Sequence, residues 1–211
     1  GVPSVIMVAI GSVMNYFLNL ILYSFSKLAV AVFGAYFKVQ SMAFMPVFGL
    51  NNGMIPIISY NYGAQKPDRM KRTMKLGVMV GCSIMVFCLA IMQVFPGQIL
   101  KIFDATDEML LMGIPAVRIM STAFIFAGFS VTRSGMFQAV GKGVYSMIVS
   151  MARQLFVILP VAYFLSKAMN SVNGVWAAFP IAEVFSVIIS TIFLLRVYKK
   201  IVKPMESVQR D

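Results

Sequence analysis

Histidine is absent from this chain, cysteine occurs twice, and acidic residues number only seven in 211. Without histidine there is no His-based proton relay and no His-ligated metal within the chain. The two cysteines, Cys82 and Cys88, lie six residues apart in one apolar stretch. That spacing puts them on different helical faces, where they read as inert packing residues. Charge of either sign is scarce, at 12% of residues, and VGCSIMVFCLAIMQVF (80–95) carries none. A soluble helix alternates apolar and charged faces, so a soluble core is excluded. No Walker loop, metal cluster or Ser/His/Asp or Cys/His set occurs, and no enzyme chemistry or resident cofactor is expected.

Long apolar runs fill the chain instead. They lie near 2–23, 30–62, 72–95, 108–138, 144–166 and 175–198. Each is long enough for a helix to cross about 30 Å of hydrocarbon, which takes roughly 20 residues. The expected fold is an all-α integral membrane protein, a six-transmembrane-helix bundle over 1–203 with a frayed cytoplasmic tail at 204–211. Its first partner is the lipid bilayer. The chain opens on Gly1 and enters an apolar run at once, without the pattern of a signal peptide, and it is expected to be a fragment of a longer protein.

The net charge of +11 has a topological reading. Lys66, Arg69, Lys71, Arg72 and Lys75 lie between the second and third stretches. Arg196, Lys199, Lys200, Lys203 and Arg210 follow the sixth, and Arg133 and Lys142 flank the end of the fourth. The alternate loops hold only Lys27, Lys101 and Lys167, and Asp104, Asp107 and Glu108 offset Lys101. This asymmetry places both termini in the cytoplasm of a cell inner (plasma) membrane protein. Basic residues at membrane boundaries do not make a nucleic-acid surface, and none is expected.

Polar residues recur along one side of the first stretch, among them Asn15 and Asn19. Such a stripe faces a cavity or holds neighbouring helices together; both keep polar groups off lipid. The second stretch holds Lys38, Ser41, Asn51 and Asn52 as cavity candidates and Pro46, Gly49, Gly53 and Pro56 as a hinge. Proline kinks a helix, so a bent, path-lining element is expected there. The spacing Gly49-x-x-x-Gly53 also permits close helix approach. Thr106 or Asp107 is the expected cap of the fourth stretch, and Trp176 the expected interfacial anchor of the sixth.

Lys38, Arg118, Arg153 and Glu183 stand far from any helix end. A charge at the bilayer centre costs at least about 2.5 kcal/mol, so each needs a partner or a wet cavity. Counting from the helix ends at 1.5 Å per residue, Arg153 and Glu183 differ in depth by only about 5 Å. They are expected to pair, with Arg118 the competing partner for Glu183. A paired carboxylate is a poor proton carrier, so Glu183 reads first as structural and second as a coupling residue.

KVQSMAFMPVFGLNNGMIPIISYNYGAQKPDRMK (38–71), with its Pro46–Gly49 bend and its Asn61–Ala64 exit followed by Arg69, resembles the second helix of a lobe in multidrug and toxic compound extrusion (MATE) transporters. GMFQAVGKG (135–143), Gly174–Ala177 and Pro180–Glu183 resemble later parts of the same lobe. The resemblance covers nearly the whole chain. It implies the C-terminal lobe of a two-lobe, twelve-helix exporter, partnered by an N-terminal six-helix lobe or a second copy. It implies alternating-access export of cationic or amphipathic drug-like molecules, driven by a proton or sodium gradient. Some family members carry coupling acids in the first and fourth helices of this lobe, where this chain has Asn15, Asn19 and Arg118. Coupling is therefore expected in the other half. Two alternatives stay open: a lipid-linked oligosaccharide flippase of the same superfamily, favoured by a cationic cavity, and a non-transporting assembly module.

Overall fold

The computed structural model describes residues 1–209; Arg210, among the basic tail residues above, and Asp211 lie outside it. The described chain is helical almost throughout. Its elements are α1 (Val2–Tyr23), α2 (Lys27–Gly63), α3 (Pro67–Val94), a short α4 (Pro96–Ile102), α5 (Asp107–Ser121), α6 (Phe124–Ala139), α7 (Gly143–Met151), α8 (Leu159–Met169), α9 (Asn173–Val197) and α10 (Lys203–Val208). A π-helical segment at Ala152–Ile158 joins α7 to α8, and a second at Tyr198–Val202 joins α9 to α10. Five helices or helix runs are long and apolar enough to cross a membrane; α5 and α6 taken together make a sixth.

Local chemistry sets the boundaries. Ser26 caps α2 by accepting from the Ala29 amide at 3.1 Å. Thr106, rather than Asp107, caps α5 by accepting from the Met109 amide at 3.3 Å. The fourth span does not run straight: α5 and α6 meet at 49°. Ser121 and Thr122 turn their hydroxyls onto the Arg118 and Ile119 carbonyls at 3.3 and 2.6 Å. The Thr122 and Ala123 amides reach only three residues back, and these competing bonds end the regular ladder. By contrast α2 runs as one helix through Pro46 and Pro56, and the interruption lies in the fourth stretch.

In the centre, α6 packs against α2, α3, α7 and α9. Small residues permit this. A Cβ on Gly81 would meet Thr132 Cγ2 at 2.8 Å, and one on Gly128 would meet Cys82 Cα at 3.2 Å. Gly49 and Gly53 do not play this part, because nothing lies within 4 Å of a Cβ built on either. Interhelical hydrogen bonds join the same elements: Asn51 Nδ2 donates to the Val131 carbonyl at 2.7 Å, and Ser59 Oγ to that of Ala139 at 2.9 Å. Each such bond contributes about 0.6 kcal/mol in a membrane bundle.

Two further expectations are corrected. Trp176 is not an interfacial anchor: it is fully buried and stacks on Phe33 at 6.5 Å, because the first turns of α9 pack against α5 and α8 and meet aromatic residues of α2. Nor do the described residues after 203 fray. α10 carries it on to Val208, Met205 is buried with Met70 and Met74, and Glu206 bonds Lys71 and the Tyr198 hydroxyl.

Candidate functional site: a polar cavity within the bundle

A cavity of about 720 Å³ opens among α1, α2, α6, α7 and α9. Its apolar wall is mainly aromatic and methionine: Met7 and Met14 on α1, Phe37, Phe44 and Phe48 on α2, and Phe179 on α9. Its polar wall is amide and hydroxyl. Asn15 comes from α1; Gln40, Ser41, Asn51 and Asn52 from α2; Ser130, Ser134 and Gln138 from α6; Ser146 and Ser150 from α7; Gln154 from the π segment; and Ser186 from α9.

The serines recur because one helical face turns inward. Ser130 and Ser134 are four apart, as are Ser146 and Ser150, so each pair shares a face. Several tie helices to one another across the cavity wall. Ser186 Oγ donates to Ser130 Oγ at 3.1 Å, and Ser146 Oγ to the Ser134 carbonyl at 3.0 Å. Ser150 Oγ accepts from Gln154 Nε2 at 2.8 Å.

Two charged residues enter the lining, and they hold each other. Arg153 Nη1 donates to Glu183 Oε1 at 3.1 Å. Glu183 is 8% exposed, and its Oε2 has no donor among the described residues. The π segment carries Arg153: an i→i+5 turn is wider than an α turn and is common where a functional side chain has to be re-aimed. Asn15 Oδ1 and Gln40 Oε1, on lining residues, likewise lack protein donors. The lining thus has a net formal charge of zero and holds buried acceptor oxygens that no donor reaches among the described residues.

Of the residues singled out from sequence, Asn15, Ser41, Asn51, Asn52, Arg153 and Glu183 line this space. Asn19, Lys38 and Arg118 do not. Lys38 and Arg118 are exposed, and Arg118, in the last turn of α5, offers its carbonyl to Gln93 Nε2 at 2.7 Å. Of the two arginines weighed as partners for Glu183, the structure pairs it with Arg153. Of the hinge set Pro46, Gly49, Gly53 and Pro56, none lines the cavity, and all but Pro46 stand within four residues of Asn52, which does. The reasoning from sequence missed Gln40, Gln154, Phe179 and the serines of α6, α7 and α9. Repeated serines at four-residue spacing were the available signal.

The MatE family model matches residues 3–164. The multidrug export protein MepA of Staphylococcus haemolyticus is 27% identical over 177 residues, covering 84% of this chain and 39% of that protein. MepA of a Staphylococcus aureus strain is 27% identical over 183 residues, covering 87% and 40%. A solved MATE structure in a bent conformation superposes with a TM-score of 0.90 at 20% identity, over 100% of this chain and 46% of that one. A multidrug resistance MATE family transporter of the MOP superfamily, outward-facing, gives 0.89 at 20% identity, over 98% and 46%. The chain spans about two fifths of the length of the curated relatives it matches, and somewhat under half of the solved structures.

Proposed function

This chain belongs to the MatE family of multidrug and toxic compound extrusion transporters, and we propose that it is the C-terminal lobe of a secondary active exporter whose substrates are amphipathic or cationic drug-like molecules. The observation that carries the reading is the cavity. Aromatic and methionine side chains give an adaptable apolar surface, and hydroxyls and amides give hydrogen bonds without fixing one geometry. That mixture suits varied substrates. Relatives named as multidrug export proteins support it.

The lobe works against an N-terminal six-helix partner lobe, with the site near mid-membrane alternately open to either side. The basic loops favour a plasma-membrane orientation with both termini cytoplasmic. A proton or sodium gradient drives the cycle. Glu183 is the one acid of this lobe set within a span, and its Arg153 partner favours a structural role, so the coupling acid belongs to the other lobe. Loss of Lys38 and Arg118 from the lining removes the cationic character that a lipid-linked oligosaccharide would call for.

The test is dye efflux by the full-length protein with Ser134→Trp, which puts a bulky ring into the cavity from α6. Efflux of ethidium should fall at least tenfold while membrane expression and thermal stability stay near wild type. Unchanged efflux from a well-expressed Ser134→Trp protein would sink the assignment of this cavity as the substrate path.

A further inference from the structure

Arg133 raises a separate question, because it is an intramembrane cation with no anionic partner among the described residues. On α6 it stands one position before Ser134, but it does not line the cavity. Its Nη1 donates to Thr191 Oγ1 at 2.6 Å, to Ser190 Oγ at 3.3 Å and to the Val187 carbonyl at 3.4 Å, all on α9. The guanidinium lies over the Phe129 ring at 5.5 Å, and Cys82 of α3 stands nearby. Every partner is neutral. Nε and Nη2 make no hydrogen bond among the described residues, and Glu183, the acid farthest from a helix end among them, is held by Arg153.

The surroundings form a groove. α3 and α9 each pack on α6 and scarcely on one another, so α6 is the floor and the other two are walls. The exposed rims are hydrocarbon-like: Met79 and Val86 on α3, Ile188 and Ile192 on α9. Towards the end of the bundle where Lys71 and Tyr198 meet through Glu206, the same walls carry exposed Arg72, Lys75 and Arg196. From Arg133 to the end of α6 at Ala139 is six residues, about 9 Å along the axis. That distance is within reach of a lipid headgroup by an arginine side chain and a locally drawn-in phosphate.

We infer that this groove is a binding site for an anionic phospholipid, with the phosphodiester on the free Nε–Nη2 edge of Arg133 and the acyl chains along the Met79/Val86 and Ile188/Ile192 rims. A guanidinium edge presents parallel N–H donors that match two phosphate oxygens, and a membrane supplies that anion in quantity. Basic pockets between transmembrane helices hold lipid headgroups for the same reason. The site is independent of the cavity and of what the cavity transports.

Native mass spectrometry of the full-length protein tests it, with phosphatidylglycerol and phosphatidylcholine of matched chains as probes. Wild type should retain phosphatidylglycerol at least tenfold more tightly than phosphatidylcholine. Arg133→Gln should bring phosphatidylglycerol down to the phosphatidylcholine level, and Arg133→Lys should recover part of the difference. Equal retention of the two lipids by wild type overturns the inference, and so does undiminished phosphatidylglycerol binding by Arg133→Gln. Displacement of the lipid by an equal concentration of inorganic phosphate overturns the lipid assignment. If Arg133→Gln does not fold, the wild-type comparison of the two lipids still decides.

Discussion

Replacing Glu183 by glutamine keeps the volume of the side chain and removes its charge, leaving Arg153 without an anion. Breaking a buried ion pair from one side costs roughly 3–5 kcal/mol. Two features of this pair lower that figure. The Arg153 side chain is 23% exposed at the cavity, so it is only partly desolvated, and the amide oxygen of glutamine still accepts one bond from Nη1. A cost of about 2 kcal/mol follows, which for a chain of this size is a fall in Tm of roughly 4–8 °C. Thermal unfolding of detergent-purified Glu183→Gln, Arg153→Gln and the double variant gives the cycle. The double variant should be less destabilised than the sum of the singles by about 1 kcal/mol, because the second substitution removes the stranded partner. A Glu183→Gln protein that melts with wild type refutes a structural pair. Transport then becomes the place to look for what Glu183 does.

The glycines give a second, internally controlled prediction. A Cβ on Gly174 would sit 2.5 Å from the Ser166 amide nitrogen and 2.6 Å from the Leu165 carbonyl carbon, all backbone, so Gly174→Ala should forfeit at least about 2 kcal/mol or abolish expression. Gly49→Ala, facing open space, should be neutral or stabilising by up to about 1 kcal/mol, and Tm measured side by side checks both. Trp176 is the chain's only tryptophan and is fully buried, so its fluorescence should be blue-shifted and resistant to acrylamide. Red-shifted, readily quenched emission would return it to the interface. Trp176→Ala should cost about 3–5 kcal/mol through the cavity it leaves beside Phe33.

What could be read in advance divides by the range of the interactions involved. Helices follow from runs of apolar residues, a local property, and six such runs were visible. The depth match between Arg153 and Glu183 needed only the rise per residue and the rule that like depths meet, and the structure has those two side chains in contact. Faces were harder. Asn15 and Asn19 belong to one stripe in the sequence, yet Asn15 lines the cavity and Asn19 does not, because α1 shares the cavity with α7 along only part of its length. Trp176 shows the same limit from the other side. Its position near a helix start fits a membrane anchor, and only the packing of α9 on its neighbours turns it inward.

Arg133 carries the point furthest. Counted along the chain, it is one more basic residue near a basic loop. Placed in the bundle, it lies between α3 and α9, bonded to α9 residues 54 to 58 positions away in sequence, with neutral acceptors on Nη1 and none on Nε or Nη2 among the described residues. A charge count treats Arg133 and Lys142 alike, although Lys142 is exposed in a turn and Arg133 is half-buried on the groove floor. The difference comes from α3 and α9 leaving a gap over α6, a property of the assembled bundle. The same gap makes the residue available to a lipid phosphate.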